Sequence, residues 1–273
     1  MAGRILIGTQ GWNYAAWVGP LYPDGTRGPE MLSLYARAFG TVEVDSTFYA
    51  IPPVNSVRGW ARRTPDEFVF SLKMPQEITH DRRLRRAEEP LELFIERARL
   101  LGPKLGPILV QMGPDFLPSE IDSLEHFLPM LPTDLRFAVE LRHHKWMRPE
   151  IRSDLLSLLA ERGVALALSD GKWIPRDTVI ELVGRPTAGF HYVRWMGPNR
   201  DLTDFSHVQI DRADEVASWA GALREIAMRG VDVFGYANNH FEGHSPHTAR
   251  TFQRLLGVRP VDPKQIGDQI SLF

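Results

Sequence analysis

Eight short runs rich in β-branched and other apolar residues alternate along the chain with eight longer amphipathic runs. Short runs that are apolar almost throughout are typical of parallel strands buried on both faces, and the longer runs repeat apolar residues at helical spacing. Eight strand–helix units without a break in composition predict a single closed (β/α)8 TIM barrel, an α/β fold that often takes roughly 250 residues. An open, doubly wound sheet is the alternative, but the first turn, GTQGWNY, lacks the three-glycine dinucleotide fingerprint.

The same pattern assigns a position to each element. The predicted strands are Arg4–Gly8, Thr41–Asp45, Glu67–Lys73, Pro107–Met112, Arg136–Leu141, Val164–Asp170, Gly189–Trp195 and Val231–Asn238. The predicted helices are Glu30–Phe39, Val54–Arg63, Leu91–Leu101, one that opens near Ser119, Pro149–Arg162, Asp177–Val183, Arg212–Arg229 and Pro246–Leu256. We expect the barrel to occupy residues 1–256. Residues 257–273 form a polar tail, punctuated by proline, that we expect to act as a tether.

Composition narrows the classes of function. The 273 residues include no cysteine, which excludes disulfides and thiolate chemistry. The net charge of −2 gives no overall basic excess, so any nucleic-acid binding must come from a local patch. No run approaches the roughly 20 apolar residues of a membrane span, and the N-terminal MAGRILIGTQGW lacks a signal-peptide pattern. These features predict a cytoplasmic protein without membrane contact.

Polar residues gather where the predicted strands end, which is where TIM barrels carry their active sites. Alternation along a strand places Glu43 and Asp45 on one face, and it pairs Glu140 with Arg142 in the same way. Both signs of charge on one concave face suit acid–base or phosphate chemistry, and the alternative is a buried ion pair that holds loops in place. The candidate catalytic residues are Glu43, Glu140, His80 and Asp170. The candidate substrate- or phosphate-binding residues are Lys73, Arg142, Arg194, Gln111, Asn238, Asn239, His240, Trp12 and Tyr49.

Two loop clusters suggest ligands of different kinds. Four arginines in ITHDRRLRRAEE suit phosphate, or else they form a solvated helix face balanced by Glu88 and Glu89. Three histidines in NNHFEGHSPH suggest a metal, but Gly243 and Pro246 break the helical spacing that would hold them. The sequence has no HExxH, CxxC or P-loop motif. A divalent metal therefore stays open as a cofactor, without a ligand motif to support it.

Five stretches resemble the YecE-like family, also called domain-of-unknown-function family 72. They are GTQGWNYAAWVGPLYP, TVEVDSTFYAIP, FVFSLKMPQEITH, AVELRHHKW and YANNHFEG, and the likeness runs from about Gly8 to Leu256. The resemblance implies a TIM barrel and no assigned activity. Asp45 stands where the family more often has Asn, and Met196 stands where an Arg-x-His-Gly run would place His. The family is similar in architecture to endonuclease IV and to sugar isomerases, but few histidines accompany the strand-end acids here, so a three-metal cluster is not expected.

The last five residues, QISLF, resemble the pentapeptide by which bacterial proteins bind the DNA sliding clamp. In that pattern Leu272 and Phe273 would fill an apolar pocket, while the amide of Gln269 would form a hydrogen bond at its rim. A tethered peptide of this kind would recruit the barrel to DNA by raising its effective concentration. The sequence therefore predicts a DNA-maintenance protein, with hydrolysis of a phosphodiester or N-glycosidic bond as its leading reaction. The alternatives are a small-molecule enzyme that acts on a sugar or sugar phosphate, and a non-catalytic adaptor of the clamp.

Overall fold

Parallel strands form the centre of the fold and close on themselves in chain order. They are β1 (Ile5–Gln10), β2 (Thr41–Val44), β3 (Val69–Lys73), β4 (Leu105–Gln111), β5 (Phe137–Glu140), β6 (Ala165–Gly171), β7 (Phe190–Gly197) and β8 (Asp232–Ala237). In the computed structural model, which describes residues 1–198, 201–262 and 265–266, each strand pairs with the next, and β8 pairs with β1. Thr9 of β1, for example, lies beside both Val42 of β2 and Ala237 of β8. The closed barrel confirms the predicted (β/α)8 fold, and the open-sheet alternative is wrong.

Helices cover the outside of the barrel. They are α1 (Gly28–Ala38), α2 (Val54–Arg62), α3 (Glu88–Arg99), α4 (Ile121–Phe127), α5 (Pro149–Glu161), α6 (Arg176–Glu181), α7 (Ala213–Met228), α8 (Asn239–Glu242) and α9 (Ser245–Leu255). The predicted helices are confirmed to within a few residues, and the structure adds α8, one short turn between β8 and α9. Asn238 caps α8, because its side-chain oxygen accepts a hydrogen bond from the backbone N–H of His240 at 2.9 Å.

The barrel interior changes from apolar to polar along its axis. Alternate strand residues point inward, and near the start of the strands they are apolar side chains such as Val69, Phe190 and Phe234. Further along, the hydroxyl of Tyr236 is hydrogen-bonded to the hydroxyls of Thr41 (3.0 Å) and Ser71 (2.6 Å). Charged residues follow toward the C-terminal ends of the strands, so this end of the barrel is the one equipped for chemistry.

The described part of the tail returns to the barrel surface. Ile266 is fully buried, and its carbonyl oxygen accepts a hydrogen bond from Arg37 of α1 at 2.8 Å. Gln269, Leu272 and Phe273, on which the clamp-binding prediction depends, lie outside the described residues. Within the described ranges, no helix has both the length and the apolar character needed to cross a membrane.

Candidate functional site

A buried ion network spans the barrel at the C-terminal ends of its strands. Arg194 of β7 donates to both carboxylate oxygens of Glu43 on β2, at 2.6 and 2.9 Å. Its Nη1 donates to Glu140 of β5 at 2.7 Å, and Arg142 donates to the other oxygen of Glu140 at 2.6 Å. Tyr192 donates a further hydrogen bond to Glu43 at 2.7 Å. We call these five residues the ionic layer, and they connect β2, β5 and β7 across the barrel.

The two carboxylates of the ionic layer have pKa values displaced in opposite directions. Burial alone would raise the pKa of Glu140, but the charges of Arg142 and Arg194 lower it to about 2. Glu43 shares a single arginine with Glu140, so burial prevails over the charge of Arg194 and raises the pKa of Glu43 to about 7. At neutral pH Glu140 is therefore an anion, whereas Glu43 is close to the midpoint of its titration.

Lys73 ends β3 beside the ionic layer, and its backbone is fixed in place. The hydroxyl of Thr47 donates to the carbonyl oxygen of Lys73 (2.7 Å) and accepts a hydrogen bond from its N–H (3.1 Å). This contact joins β3 to the 3₁₀ turn Asp45–Phe48 that follows β2. The Nζ of Lys73 lies 3.7 Å from the centroid of the Phe48 ring, a cation–π distance. Burial and the charge of Arg194 lower the pKa of Lys73 to about 8, from an ordinary value of 10.5.

A small polar cavity, which we call the mouth cavity, opens above the ionic layer. It holds about 150 Å³ and is lined by Gln10, Asp45, Tyr49, Lys73, Gln111, Arg142, Arg194, Met196, Asn238 and His240. A second cleft of about 290 Å³ adjoins it and shares Arg142, Met196 and Asn238. A larger cleft of about 590 Å³ lies beside α9, and its lining includes none of the predicted site residues. The mouth cavity is thus where the structure brings most of the predicted residues together.

Two cations that line the mouth cavity keep donor groups open. Arg142 contacts Glu140 through its Nε, and its two Nη groups make no hydrogen bond with any residue of the described ranges. The Nζ of Lys73 likewise has neither an acceptor nor an ion-pair partner within those ranges. Arg194 differs, because its donors serve Glu43 and Glu140, and Asp45 lies 3.8 Å from its Nη2. An anion that entered the cavity would meet the open donors of Lys73 and Arg142.

Amide side chains form another part of the cavity wall. The Nδ2 of Asn238 donates to Oε1 of Gln10 at 2.8 Å, and the Nε2 of Gln10 lies 2.9 Å from the sulfur of Met196. The Nε2 of Gln111 lies 3.5 Å from the Nε2 of His80. Because amides both donate and accept hydrogen bonds, this wall suits a ligand that carries hydroxyl groups.

His80 lies behind the cavity wall, on a π-helical turn, Glu77–Asp81. Its Nδ1 is 2.8 Å from the hydroxyl of Thr79, and its ring packs edge-on against Phe48 with centroids 5.0 Å apart. Burial and the charge of Lys73 lower the pKa of His80 below its ordinary value. We therefore expect a neutral imidazole here at physiological pH, held in place by its neighbours.

The sequence comparison assigns the chain to a family. A family model described as a protein of unknown function, DUF72, matches residues 6–269. The chain belongs to the DUF72 family. The match takes in every strand of the barrel except the first residue of β1, and it confirms the family to which the sequence motifs pointed.

Curated relatives within the DUF72 group are similar over different lengths. The UPF0759 protein YecE of Escherichia coli K12 is 33% identical over 169 residues, which cover 62% of this chain and 60% of YecE. The matched region thus spans about three fifths of the length of that relative. The UPF0759 protein YunF of Bacillus subtilis 168 is 26% identical over 271 residues, covering 93% of this chain and 95% of YunF.

Solved structures support the fold of this DUF72 chain. A DUF72 family protein from Thermotoga maritima superposes with a TM-score of 0.76 at 23% identity, covering 93% of this chain and 99% of the other. A DUF72 family protein from Enterococcus faecalis gives a TM-score of 0.74 at 21% identity, covering 94% and 99%. At this level of identity the similarity establishes the barrel and carries no argument about activity.

Asp170 was predicted as catalytic, but it points away from the mouth cavity of this DUF72 barrel. Its Oδ2 accepts hydrogen bonds from Arg176 of α6 (2.7 Å) and from the indole N–H of Trp219 on α7 (2.8 Å). Alternation along β6 explains the placement, because inward-facing Ala165 and Ala167 leave Asp170 on the outer face. The carboxylate therefore joins two helices to the barrel.

Asn239 and Trp12 also lie outside the cavity lining. The Oδ1 of Asn239 accepts hydrogen bonds from the backbone N–H (3.0 Å) and the hydroxyl (2.8 Å) of Ser245, which fixes the start of α9. Trp12 packs edge-on against Trp60 of α2, with ring centroids 6.1 Å apart. Tyr49 does line the cavity and is 75% exposed at its rim.

Three cavity residues were not among the predicted site residues of this DUF72 chain, namely Gln10, Asp45 and Met196. Alternation along the sequence already placed Asp45 on the face of Glu43, and the same rule finds Met196, which follows Arg194 by two residues. In each case the strand or its continuation carries the second side chain to the same inner face. Where the prediction relied on polarity at a strand end without alternation, it could not separate inward from outward residues.

The structure bears on the ligands predicted for the two loop clusters, the arginine cluster and the histidine cluster. Arg82 pairs with Glu77 at 2.7 Å, and Arg83 pairs with Glu120 at 2.6 Å and with Asp115 at 2.7 Å. These carboxylates pair with two of the four arginines, which weakens the prediction of a phosphate site, but they are not the two glutamates that the alternative named. In the described ranges no group of three or more His, Cys, Asp or Glu residues is arranged to hold a metal ion.

Proposed function

We propose that the mouth cavity binds a sugar that carries a phosphate and acts on it by acid–base chemistry. The observation that carries this proposal is the presence of two open cationic groups, Lys73 Nζ and Arg142 Nη, in one cavity with amide side chains. Cations suit the phosphate, and amides suit the hydroxyl groups of the sugar. The same unit occurs in a free sugar phosphate and in one nucleotide of a DNA strand. Hydrolysis of a phosphodiester or N-glycosidic bond therefore stays the leading reaction.

The size of the site favours a small unit over a length of duplex. The mouth cavity of about 150 Å³ and the adjoining cleft of about 290 Å³ together reach the lower part of the range for small-molecule sites, roughly 300–1,000 Å³. A free sugar phosphate fits this description directly, which supports the alternative of a small-molecule enzyme. A DNA substrate would have to present a single nucleotide, turned out of its stack, to the cavity.

The proposal gives different roles to the carboxylates. The oxygens of Glu43 and Glu140 are occupied by Arg194, Tyr192 and Arg142, so these two acids position the arginines. Asp45 lines the mouth cavity and keeps more than a third of its side chain exposed, so it is the acid–base candidate that can reach a substrate.

Binding is the first test, because it needs no assumption about the reaction. Titration calorimetry with ribose 5-phosphate, ribose and inorganic phosphate should give the tightest binding for ribose 5-phosphate. Arg142→Met should weaken that binding at least about tenfold, because it removes a charged phosphate partner. Arg99→Met is the matched control, since Arg99 pairs with Asp134 on the outer surface and should not affect binding. Equal affinity in wild type and Arg142→Met would contradict the proposal, as would the absence of any heat with ribose 5-phosphate at millimolar concentration.

Recruitment by the bacterial sliding clamp is the second part of the proposed function, and the QISLF sequence at the chain end favours it. A peptide of this pattern would bring a chain with a net charge of −2 to DNA without a basic surface. The clamp acts inside the cell, so this part of the proposal places the protein in the cytoplasm. A barrel that bound the clamp but no sugar phosphate would instead support the adaptor alternative.

Clamp recruitment can be tested with three variants of the full chain. Removal of the last five residues, or the double substitution Leu272→Ala and Phe273→Ala, should abolish binding to purified clamp in calorimetry. Ser271→Asp keeps the pattern and should bind like wild type, with an affinity around micromolar because a short peptide loses entropy on docking. Binding that survives removal of the five residues would overturn this part of the proposal.

A further inference from the structure

We infer that Lys73 is a nucleophile that forms an imine with an aldehyde-bearing sugar phosphate in the mouth cavity. This inference rests on the proposed function and deepens it, because it names the reacting atom and the substrate class. In this role Lys73 reacts as the neutral amine and the phosphate is left to Arg142, because an imine-forming lysine needs an open cavity and a free nitrogen.

The placement of Lys73 meets the requirements for a nucleophile. Its backbone is fixed by Thr47, its Nζ lies over the ring of Phe48, and it lines the mouth cavity. No described residue accepts a hydrogen bond from Nζ or lies within ion-pair distance of it. The nitrogen therefore has a fixed position and an approach that an incoming carbonyl carbon can use.

A second buried lysine shows what a purely structural role looks like in this protein. The Nζ of Lys104 donates to the carbonyl oxygens of Ala61 (2.7 Å) and Thr64 (2.8 Å) and lies 3.8 Å from Asp66. Its donors hold the end of α2 against the start of β4. Lys73 is half-buried and has none of these contacts, so it does not serve the scaffold in this way.

The electrostatic surroundings support the same role. Burial and the nearby charge of Arg194 disfavour the ammonium form, so the pKa of Lys73 falls to about 8. A substantial fraction of the side chain is then a neutral amine at slightly alkaline pH. Desolvation and an adjacent cation are the two known ways of activating a lysine for imine formation.

The chemical step balances without any oxidant or reductant. The lone pair of neutral Nζ attacks the carbonyl carbon, and the electron pair of the C=O bond moves to oxygen, which takes up a proton. The resulting carbinolamine loses the nitrogen proton and its hydroxyl group, the latter protonated as it leaves, and gives a C=N bond and water. Asp45, in the same cavity, is placed to pass these protons, and Arg142 is placed to hold the phosphate.

Two sources supply an aldehyde next to a phosphate. One is a free aldose phosphate in its open form. The other is a DNA strand that has lost a base, in which the opened deoxyribose is an aldehyde flanked by phosphates. The chemistry at Lys73 is the same for both, so the inference names the shared unit and leaves the source to the experiment.

Reductive trapping tests the inference on the full chain. The protein is incubated with ribose 5-phosphate, or with an oligonucleotide containing one abasic site, and sodium borohydride is then added to reduce any imine to a stable amine. Mass spectrometry should find the mass of the aldehyde less one oxygen atom, and peptide mapping should place it on Lys73. The chain has five lysines, so the site can be assigned without ambiguity.

Matched variants separate a specific imine from a general reaction with lysines. Lys73→Met and Lys73→Arg should lower the yield of adduct at least tenfold, and melting curves will confirm that both variants fold. Lys145→Met is the control, because Lys145 lines neither the mouth cavity nor the adjoining cleft and should not affect the yield. An adduct with the oligonucleotide alone, or with ribose 5-phosphate alone, would support the inference and identify the source.

Other outcomes would overturn it. An adduct spread over several lysines, or one that persists in both Lys73 variants, would mean that Lys73 is not the nucleophile. No adduct with either aldehyde, together with normal binding of ribose 5-phosphate in calorimetry, would reject the imine and leave the proposed function standing. No adduct and no binding would reject both.

Discussion

Arg194 and Lys73 are two cations at the same end of the barrel, and the protein surrounds them in opposite ways. Arg194 is almost fully buried and meets Glu43 and Glu140 with three hydrogen bonds of 2.6–2.9 Å. Lys73 lies nearby over an aromatic ring, and no described residue offers its Nζ a carboxylate partner. The ionic layer is therefore a closed network, whereas the mouth cavity above it is left chemically open.

The difference follows from the chemistry of the two side chains. A guanidinium stays charged under all ordinary conditions, and its planar fork can meet two carboxylates at once. An ammonium can lose its proton when burial disfavours the charge. An arginine is thus suited to hold the floor of a site, and a lysine with a lowered pKa is suited to react within it. Replacing Arg194 with lysine would be expected to weaken the ionic layer. Replacing Lys73 with arginine would be expected to prevent the reaction.

The strongest test of this comparison is to remove each cation in turn. Arg194→Met should lower the free energy of unfolding by roughly 3–5 kcal/mol, because it leaves buried carboxylates without their partner. Lys73→Met should change it by less than about 1 kcal/mol, because the lost cation–π contact is offset by the relief of a desolvated charge. Urea denaturation at pH 7 would measure both values. Equal losses in the two variants would mean that Lys73 also belongs to the structural network.

The two glutamates of the ionic layer sharpen the comparison through their pH dependence. Glu140 has a folded-state pKa below its unfolded value, so its contribution of about 3 kcal/mol is present above pH 4.5 and is lost as the pH falls toward 2. Glu43 has a raised folded-state pKa, so its contribution is present below pH 4.5 and is lost as the pH rises through 7. Glu140→Gln should therefore be destabilising at neutral pH, whereas Glu43→Gln should gain stability relative to wild type between pH 5 and 8.

Urea denaturation at pH 5 and pH 8 would separate the two glutamine variants. Both substitutions keep the size and an acceptor oxygen of the original side chain, so any change in stability that comes from packing should be the same in the two variants. If both variants lost stability equally at both pH values, the assignment of an anionic Glu140 and a half-protonated Glu43 would be wrong. A loss of stability in Glu140→Gln would also mean that reduced activity in that variant reports on structure rather than on catalysis.

The fold could be predicted from the sequence because each element carries its own local signal. The run FAVE in β5 is apolar except at its end, and the helix α5 begins at Pro149, a residue that favours the first turn. Once eight such units follow one another, no further signal in the sequence is needed to predict that the barrel closes. α8 was missed because the four residues that follow the capping Asn238 are too few to show any periodicity.

The site could be predicted only where alternation was applied to the strand ends. Glu43, Glu140, Arg142 and Arg194 were selected correctly as neighbours, and the pair of Glu140 with Arg142 was expected. The contacts of Arg194 with both glutamates were not, because the sequence gives no distance across the barrel. Asp170 looked equivalent to them until the structure placed it on the outer face with Arg176. The sequence likewise could not show that the Nζ of Lys73 lacks a carboxylate partner among the described residues, because this depends on which carboxylates pair with the arginines.

The smallest expected effect concerns the charge at position 45 and bears directly on the reactivity of Lys73. The charged groups that act on the pKa of Lys73 are Arg194 and Arg142, which lower it, and Asp45 and Glu43, which raise it.

The yield of borohydride-trapped adduct at short times should rise with pH and reach its half-maximum near 8, because the neutral amine is the reacting form. Asp45→Asn should move that midpoint lower by less than about 1 pH unit, since one opposing charge is removed. The trapping rate measured between pH 6 and 10 would check this, with Asp66→Asn as a surface control next to Lys104. A midpoint near 10.5 in wild type would mean that Lys73 behaves as an ordinary exposed lysine, and a midpoint that rose in Asp45→Asn would contradict the sign of the electrostatic argument.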